Sequence, residues 1–210
     1  MFAMLPLTAP DNVGGLAPSL RERNRLRVRA AIIDSALELF STYGFDQVTV
    51  IDVARGAGIS PATVARYFPT KESMLFPERD VNVARLQAAL LARPRRESPW
   101  SALIAALTSQ SPIAGEAHFR LLRSRQAVAR STVLRGRAFE LLDGWREGIA
   151  DALLQRGGVQ QSEARAIATA AVALLDDAAA RWAADGGSRD LGDEVIATFA
   201  AFERGRRRSP

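Results

Sequence analysis

Apolar residues recur along the whole chain at the spacing of amphipathic helices, and no segment alternates apolar and polar residues as a strand does. The first stripe predicts a helix that starts at Ser19, where Glu22 completes the spacing of a capping box, and ends at Gly44. Two short helices follow, capped by Thr49 and Ser60 and joined by a tight turn. The first stripe is carried by Ile33, Ala36, Leu37 and Phe40.

About six further helices are predicted behind these three, separated by glycine, proline and serine. The first of them contains Pro77, which should kink or restart it. The predicted fold is therefore all-α, with an N-terminal three-helix unit and a larger helical body. The six helices are predicted at about 70–93, 100–110, 116–130, 131–156, 162–185 and 188–204. The corresponding domain boundaries are 1–18 for a flexible tail, 19–70, 71–205, and 206–210 for a basic tail.

Composition narrows the class of protein. With 210 residues, 48% hydrophobic and 24% charged, the chain has the balance of a globular protein with one or two domains. There is no cysteine and only one histidine, His118, so we expect no disulfide, no metal centre and no cofactor. The apolar runs are shorter than about 18 residues, and residues 1–18 lack the pattern of a signal peptide. We therefore expect a cytoplasmic protein with no membrane segment.

Charge is concentrated at two places. The formal net charge is +5, and Lys71 is the only lysine. A C-terminal cluster at 204–208 is either a solvated arm or a second basic patch, and the sequence leaves both readings open. Clustered arginines attract phosphate through their charge, and the release of counterions from nucleic acid is a main source of the resulting non-specific affinity. The first helix begins with alternating arginines, Arg21, Arg23, Arg25, Arg27 and Arg29.

The two short helices have the layout of a helix-turn-helix between Ala54 and Phe68. The second helix would enter the major groove by its N-terminal end. Arg66 is the candidate for base reading, because a guanidinium pairs two-pronged with guanine. The residues predicted to contact DNA, including phosphate contacts from the first helix and from helix ends, are Arg25, Arg29, Thr49, Ser60, Ala62, Thr63, Arg66, Tyr67 and Lys71. A glycine turn between short helices also occurs in other all-helical proteins, and the turn alone is therefore weak evidence for DNA binding. The arginines upstream of it strengthen this interpretation.

The run from Ala31 to Leu75 resembles the N-terminal domain of TetR-family regulators. The resemblance implies a three-helix DNA-binding domain, a homodimer, and an inducer bound by the remaining helices. Ala65 and Arg66 stand where many members carry bulky residues, and Tyr67 stands where histidine is common. The variant VARYFPTKE is similar to a subgroup that is associated with acyl-CoA-like ligands. The matching residues are Ala36, Phe40, Gly44, Thr49, Val53, Ala54, Ala57, Gly58, Ser60, Thr63, Phe68, Lys71, Glu72 and Leu75.

Bulky apolar residues on three separate helices of the body form a candidate ligand pocket. They are Trp100, Leu103, Leu107, Phe119, Leu122, Trp145 and Ile149. The alternative is plain core packing. Arg120, Arg123 and Arg125 would suit a phosphate on the inducer, or else they form a solvated helix face.

The last two helices have the pattern of a dimer surface over about 162–203. Small residues on one helix would allow close approach, and bulky residues on the other would supply apolar area. The small-residue face consists of Ala166, Ala170, Ala173 and Leu174, and its bulky counterpart of Val195, Ile196, Phe199 and Phe202. The sequence thus predicts a homodimer.

Three functions compete on this pattern. The leading one is a transcriptional regulator, a repressor released from a palindromic DNA operator by a small hydrophobic or acyl ligand; an activator would use the same DNA-binding helices. The second is a sequence-specific or architectural DNA binder with no ligand response. The third is a helical enzyme, against which stand the single histidine, the missing cysteine and the absence of a GxGxxG or Walker sequence. We expect that the protein is not an enzyme.

Overall fold

The computed structural model describes residues 19–76, 79–109 and 115–208. Within those ranges the protein has nine α-helices and no strand, and none of the helices has the length and apolar character to span a membrane. The helices are α1 (Leu20–Tyr43), α2 (Val50–Gly56), α3 (Pro61–Tyr67), α4 (Arg79–Leu91), α5 (Pro99–Thr108), α6 (Glu116–Arg130), α7 (Thr132–Arg156), α8 (Gln161–Ala184) and α9 (Leu191–Arg208).

The chain divides into two compact units, and the division does not follow the predicted boundary after residue 70. The head unit contains residues 19–76 together with 119–137, which cover most of α6 and the start of α7. The body unit contains the described residues of 79–118 and 138–208. The order of the helices along the sequence does not show that residues 119–137 belong to the head unit.

Helix α1 provides the long apolar face of the head unit. Ser19 caps it by accepting a hydrogen bond from the Glu22 backbone N–H at 3.2 Å. The predicted stripe is buried, and the helix ends at Gly44, whose φ of +88° favours glycine. Helix α2 lies so close to α1 that a Cβ on Gly56 would stand 2.3 Å from Ser35 Oγ. That hydroxyl donates to the Val53 carbonyl at 3.0 Å, which ties the two helices together.

Helix α6 joins the head unit through two arginines. Arg120 makes a two-pronged ion pair with Asp34 of α1, with Nε–Oδ1 at 2.6 Å and Nη2–Oδ2 at 2.9 Å. Ten residues further along, Arg130 Nη1 donates to the Ser41 carbonyl near the end of α1 at 2.8 Å. These contacts attach α6 to α1 at two points and account for the place of 119–130 in the head unit.

The body unit packs α4 against α7 and α5 against α9. At the first crossing, a Cβ on Gly148 would lie 2.4 Å from Val83 Cγ1, and Gln87 Nε2 donates to the Gly148 carbonyl at 3.0 Å. At the second, the Trp100 ring lies 5.4 Å from the Phe199 ring and 5.5 Å from the Phe202 ring, between centroids. These ring contacts lie within the range of favourable aromatic pairs.

Helix boundaries were predicted to within a few residues, with three differences. Thr70 accepts from the Ser73 N–H at 3.2 Å, but the segment it caps is a single 3₁₀ turn, Glu72–Met74, and α4 starts afresh at Arg79. Helix α8 begins at Gln161, one residue before Ser162. Helix α9 begins after Asp190, which accepts from the Asp193 N–H at 3.2 Å, and Ser188 does not start it.

Some sequence predictions lie outside the described residues. They are the flexible tail at 1–18, the effect of Pro77, the break at 111–114 and the end of the basic tail at 209–210.

Candidate nucleic-acid interface and ligand-binding region

The turn between α2 and α3 sets the orientation of α3, the candidate reading helix that is predicted to enter the major groove of DNA. Gly58 has a φ of +68°, a backbone conformation that other residues adopt at a cost. The N–H of Ile59 donates to the Ala54 carbonyl at 3.0 Å, so the chain reverses directly after α2. Val64 is buried and anchors α3 from behind. The opposite side of α3 is consequently held toward solvent.

Helix α3 presents a short polar face at its N-terminal end. Ser60 caps it by accepting from the Thr63 N–H at 3.2 Å, and the two hydroxyl oxygens lie 2.9 Å apart. Ser60 and Ala62 are exposed, so a backbone or a base edge can approach closely. Arg66 is exposed as well, and its guanidinium lies over the Tyr67 ring at 5.7 Å from the centroid. Arg66 lies in the last turn of α3, four residues after Ala62, so its planar guanidinium and that small side chain share one face of the helix.

Helix α2 begins with a complete capping box. Thr49 accepts from the Asp52 N–H at 3.2 Å, and its own N–H and hydroxyl donate to Asp52 Oδ2 at 3.0 and 2.6 Å. The hydrogen bond from the Thr49 side chain, and to a smaller extent the one from the Thr49 backbone, holds the pKa of Asp52 below its ordinary value of 3.8. The phosphate contact predicted for Thr49 therefore has an ionised carboxylate beside it. The Thr49-x-x-Asp52 spacing is visible in the sequence and is the signal from which Asp52 could have been predicted.

The first turns of α1 carry an exposed row of cations. Its arginines up to Arg27 are exposed, and so are Leu20 and Leu26 on the same turns. Arg29 marks the point at which α1 meets α3, because its guanidinium lies over the Phe68 ring at 5.5 Å from the centroid. The predicted residues Arg25 and Arg29 thus differ in setting: one is exposed, and the other is half-buried beside the end of the reading helix.

Lys71 has a structural setting that its sequence position did not reveal. Its ammonium group donates to the carbonyls of Phe45 and Val48 at 2.6 and 2.8 Å, and it lies 4.1 Å from the Phe45 ring centroid. Two of its three N–H donors therefore hold the connection between α1 and α2. The predicted phosphate contact stays a prediction, with one donor left for it.

The predicted ligand residues do not all lie in one unit. Leu103, Trp145 and Ile149 are buried and Trp100 and Leu107 half-buried, all five in the body unit. The other two, Phe119 and Leu122, belong to the head unit, and Phe119 is 61% exposed. Phe119 is thus a surface residue of the monomer.

Two of the neighbouring arginines, Arg120 and Arg125, do not form a solvated helix face. Arg125 is only 2% exposed. Arg120 is the ion-pair partner of Asp34, which no local pattern announced because 86 residues separate the two.

The predicted dimer face is corrected in part. Val195 and Phe199 are buried within the protomer, Phe199 against Trp100, because the bulky stripe of α9 faces α5 and α8. Ile196 and Phe202 are exposed. On α8, Ala166 and Ala173 are exposed, whereas Ala170 and Leu174 are half-buried. The surface that remains is a mixed one of small and bulky residues.

Comparison with known proteins identifies the family that has this geometry. The family model for bacterial regulatory proteins of the tetR family matches residues 32–76. MftR of Mycobacterium tuberculosis, named as a transcriptional regulator of mycofactocin biosynthesis, is 31% identical over 136 residues, which cover 65% of this chain and 69% of MftR.

Two solved structures extend the likeness over most of the chain. NalD of Pseudomonas aeruginosa, the secondary repressor of the MexAB-OprM multidrug efflux pump, matches with a TM-score of 0.60 at 19% identity over 86% of this chain and 97% of its own. FadR of Thermus thermophilus, a transcriptional repressor in complex with lauroyl-CoA, matches with a TM-score of 0.51 at 27% identity over 82% and 91%.

The fold and the exposed α3 define a helix-turn-helix regulator of transcription. The chain belongs to the TetR family of bacterial regulatory proteins. The predicted all-α fold, with a helix-turn-helix unit at the N-terminal end of the described chain, is confirmed.

Proposed function

We propose that this protein is a cytoplasmic homodimeric repressor that leaves a palindromic operator when its body binds an acyl ligand. The observation that carries the DNA half is the exposed surface of α3, where Ser60 and Ala62 lie at the N-terminal end and Arg66 lies one turn after Ala62, in the last turn. A reading helix needs small residues for close approach and at least one side chain with base-specific donors. Arg66 reads a guanine, while Arg25 and Arg29 hold phosphates and fix the register.

Each head contacts one half-site, and the two-fold axis of the dimer places the half-sites about one helical turn apart. Exposed Ile196 and Phe202, with the alanines of α8, supply apolar area for the subunit contact over about 162–203. Tyr67, Thr63 and the α2 N-terminus at Thr49 add phosphate contacts around the reading helix. Lys71 adds a further phosphate contact through its remaining N–H donor.

The acyl ligand is supported by the likeness to FadR of Thermus thermophilus, which was solved with lauroyl-CoA. The ligand lies against apolar side chains of the body unit, Trp100, Leu103, Leu107, Trp145 and Ile149. A ligand shifts a two-state equilibrium only by its difference in affinity for the two states. We propose that α6 carries this difference, because residues 116–118 belong to the body unit and Arg120 and Arg130 bond to α1.

The test is binding to the DNA upstream of the protein's own coding sequence, at two salt concentrations, with and without lauroyl-CoA. We expect specific binding that weakens with salt and is released by lauroyl-CoA. Specific binding that ignores lauroyl-CoA would retain the regulator and reject the acyl ligand. Binding equal to that of random DNA at both salts would reject the proposed reading surface.

A pair of arginine variants separates base reading from charge. Arg66→Ala should lower affinity for the operator by about 1–3 kcal/mol, or roughly 5- to 150-fold, while affinity for random DNA falls much less. Arg96→Ala is the control, since Arg96 is an exposed arginine of the body unit and its loss removes the same charge. Equal losses for both variants, or for both DNAs with Arg66→Ala, would contradict direct reading by Arg66.

A further inference from the structure

One polar side chain stands in the buried stripe of α4. Asn82, Leu86 and Leu90 are spaced four residues apart and so lie on one face of the helix. All three are buried, and Asn82 is 1% exposed. The two leucines fit an apolar interior, whereas an amide in the same stripe needs hydrogen-bond partners.

The Asn82 side-chain oxygen has no hydrogen-bond partner among the described residues. The other side-chain amide of α4 is in the opposite condition, since Gln87 donates to the Gly148 carbonyl at 3.0 Å. A buried amide oxygen without a donor destabilises the folded state, and leucine at this position would have almost the same shape. Packing among the described residues therefore does not explain the asparagine.

We propose that Asn82 Oδ1 accepts a hydrogen bond from the ligand of the body unit and thereby selects ligands that carry an N–H or O–H donor. This assignment rests on the proposed function, because it names a contact of the acyl ligand. It also adds a chemical class: the ligand has an apolar chain, which suits the leucines beside Asn82, and a donor such as an amide N–H. A free fatty acid, ionised near neutral pH, lacks that donor.

The experiment compares two probes that differ in their donors, decanamide and N,N-dimethyldecanamide. The wild-type protein should bind decanamide about tenfold more tightly, as expected for one hydrogen bond to a buried group. In Asn82→Leu this preference should fall to about one. Gln87→Leu is the matched control, because it removes a half-buried amide of the same helix that already has a partner, and it should keep the preference.

Thermal unfolding without ligand gives a second readout. Asn82→Leu should raise Tm by about 3 °C, because it removes an unsatisfied buried group, whereas Gln87→Leu should lower Tm. If Asn82→Leu does not fold, Asn82→Ala takes its place in the binding comparison.

Equal affinity of the wild-type protein for the two amides would overturn the role of Asn82 and leave the acyl ligand standing. A Tm lowered by Asn82→Leu together with equal affinities would show that an internal water already satisfies the oxygen. If neither amide nor lauroyl-CoA binds, the assignment and the acyl ligand fail together, while operator binding measured separately still tests the DNA half.

Discussion

Among the described glycines of the head unit, Gly56 has the least room for a side chain. Its Cβ, if present, would lie 2.3 Å from Ser35 Oγ, far inside van der Waals contact. In Gly56→Ala the hydroxyl has to rotate, so it loses its 3.0 Å hydrogen bond to the Val53 carbonyl. The lost bond costs about 1 kcal/mol and a buried hydroxyl without a partner costs about 1–3 kcal/mol. Alanine returns up to about 1 kcal/mol through its better helix propensity, and less than that at the end of a helix.

The net expectation is that Gly56→Ala lowers the free energy of unfolding by about 2 kcal/mol, or Tm by about 6 °C. Ser35→Ala should rescue it, because the next atoms that the new methyl would meet are Ser35 Cβ at 3.5 Å and Leu39 Cδ1 at 3.8 Å, which are ordinary contacts. The double variant should therefore unfold close to Ser35→Ala alone. That gives a coupling energy of about 2 kcal/mol between the two sites.

The assay is thermal and urea unfolding of the four proteins of this cycle at one fixed protein concentration, since the proposed dimerisation would make Tm depend on concentration. Operator affinity is measured in parallel, because α2 orients α3. A coupling energy near zero would refute the reasoning, and so would a Gly56→Ala protein as stable as the wild type. A double variant that stays as unstable as Gly56→Ala would show that backbone, rather than the hydroxyl, blocks the methyl.

Three other expectations concern charged residues of the head unit. Arg25→Ala should weaken binding to all DNA sequences alike and reduce the slope of log affinity against log salt by about one; an effect confined to the operator would contradict its phosphate role. Arg120→Met should change the free energy of unfolding by only about 1 kcal/mol, since its pair with Asp34 is half-exposed, yet it should diminish release from the operator by lauroyl-CoA. Unchanged release would remove that pair from the proposed coupling. Lys71→Met should lower the free energy of unfolding by about 2 kcal/mol through its two carbonyl partners, as measured by urea unfolding, and a neutral effect would refute that part of the structure.

Local features of the head unit were predictable from the sequence, and the reason is that each depends on residues a few positions apart. The cap at Ser19, the end of α1 at Gly44 and the turn at Gly58 need only a side-chain oxygen or a positive φ at one position. The apolar stripe of α1 shows which face is buried, since its period matches that of the helix. The fold class and the position of the helix-turn-helix therefore followed from pattern and resemblance together.

Long-range partners were not predictable in the same way. Asp34 and Arg120 look like ordinary surface charges, and nothing within one helical turn of either announces a pair across 86 residues. The sequence predicts a phosphate contact for Lys71 but does not show that the loop after α1 offers two carbonyls to its ammonium group. On α9 the pattern identified apolar residues but did not show that Val195 and Phe199 face inward. A stripe gives the direction of burial only relative to its own helix.

The return of residues 119–137 to the head unit bears on the exchange of heads between related regulators. A chimera that takes only residues 19–76 from this protein would leave Asp34 and Ser41 facing a foreign α6 without Arg120 and Arg130. It would also lose Leu121, Ala127 and Val128, which are buried in this chain. The head unit is therefore encoded by two separate segments of the gene. Both segments have to be grafted if a chimera is to acquire the operator specificity of this protein.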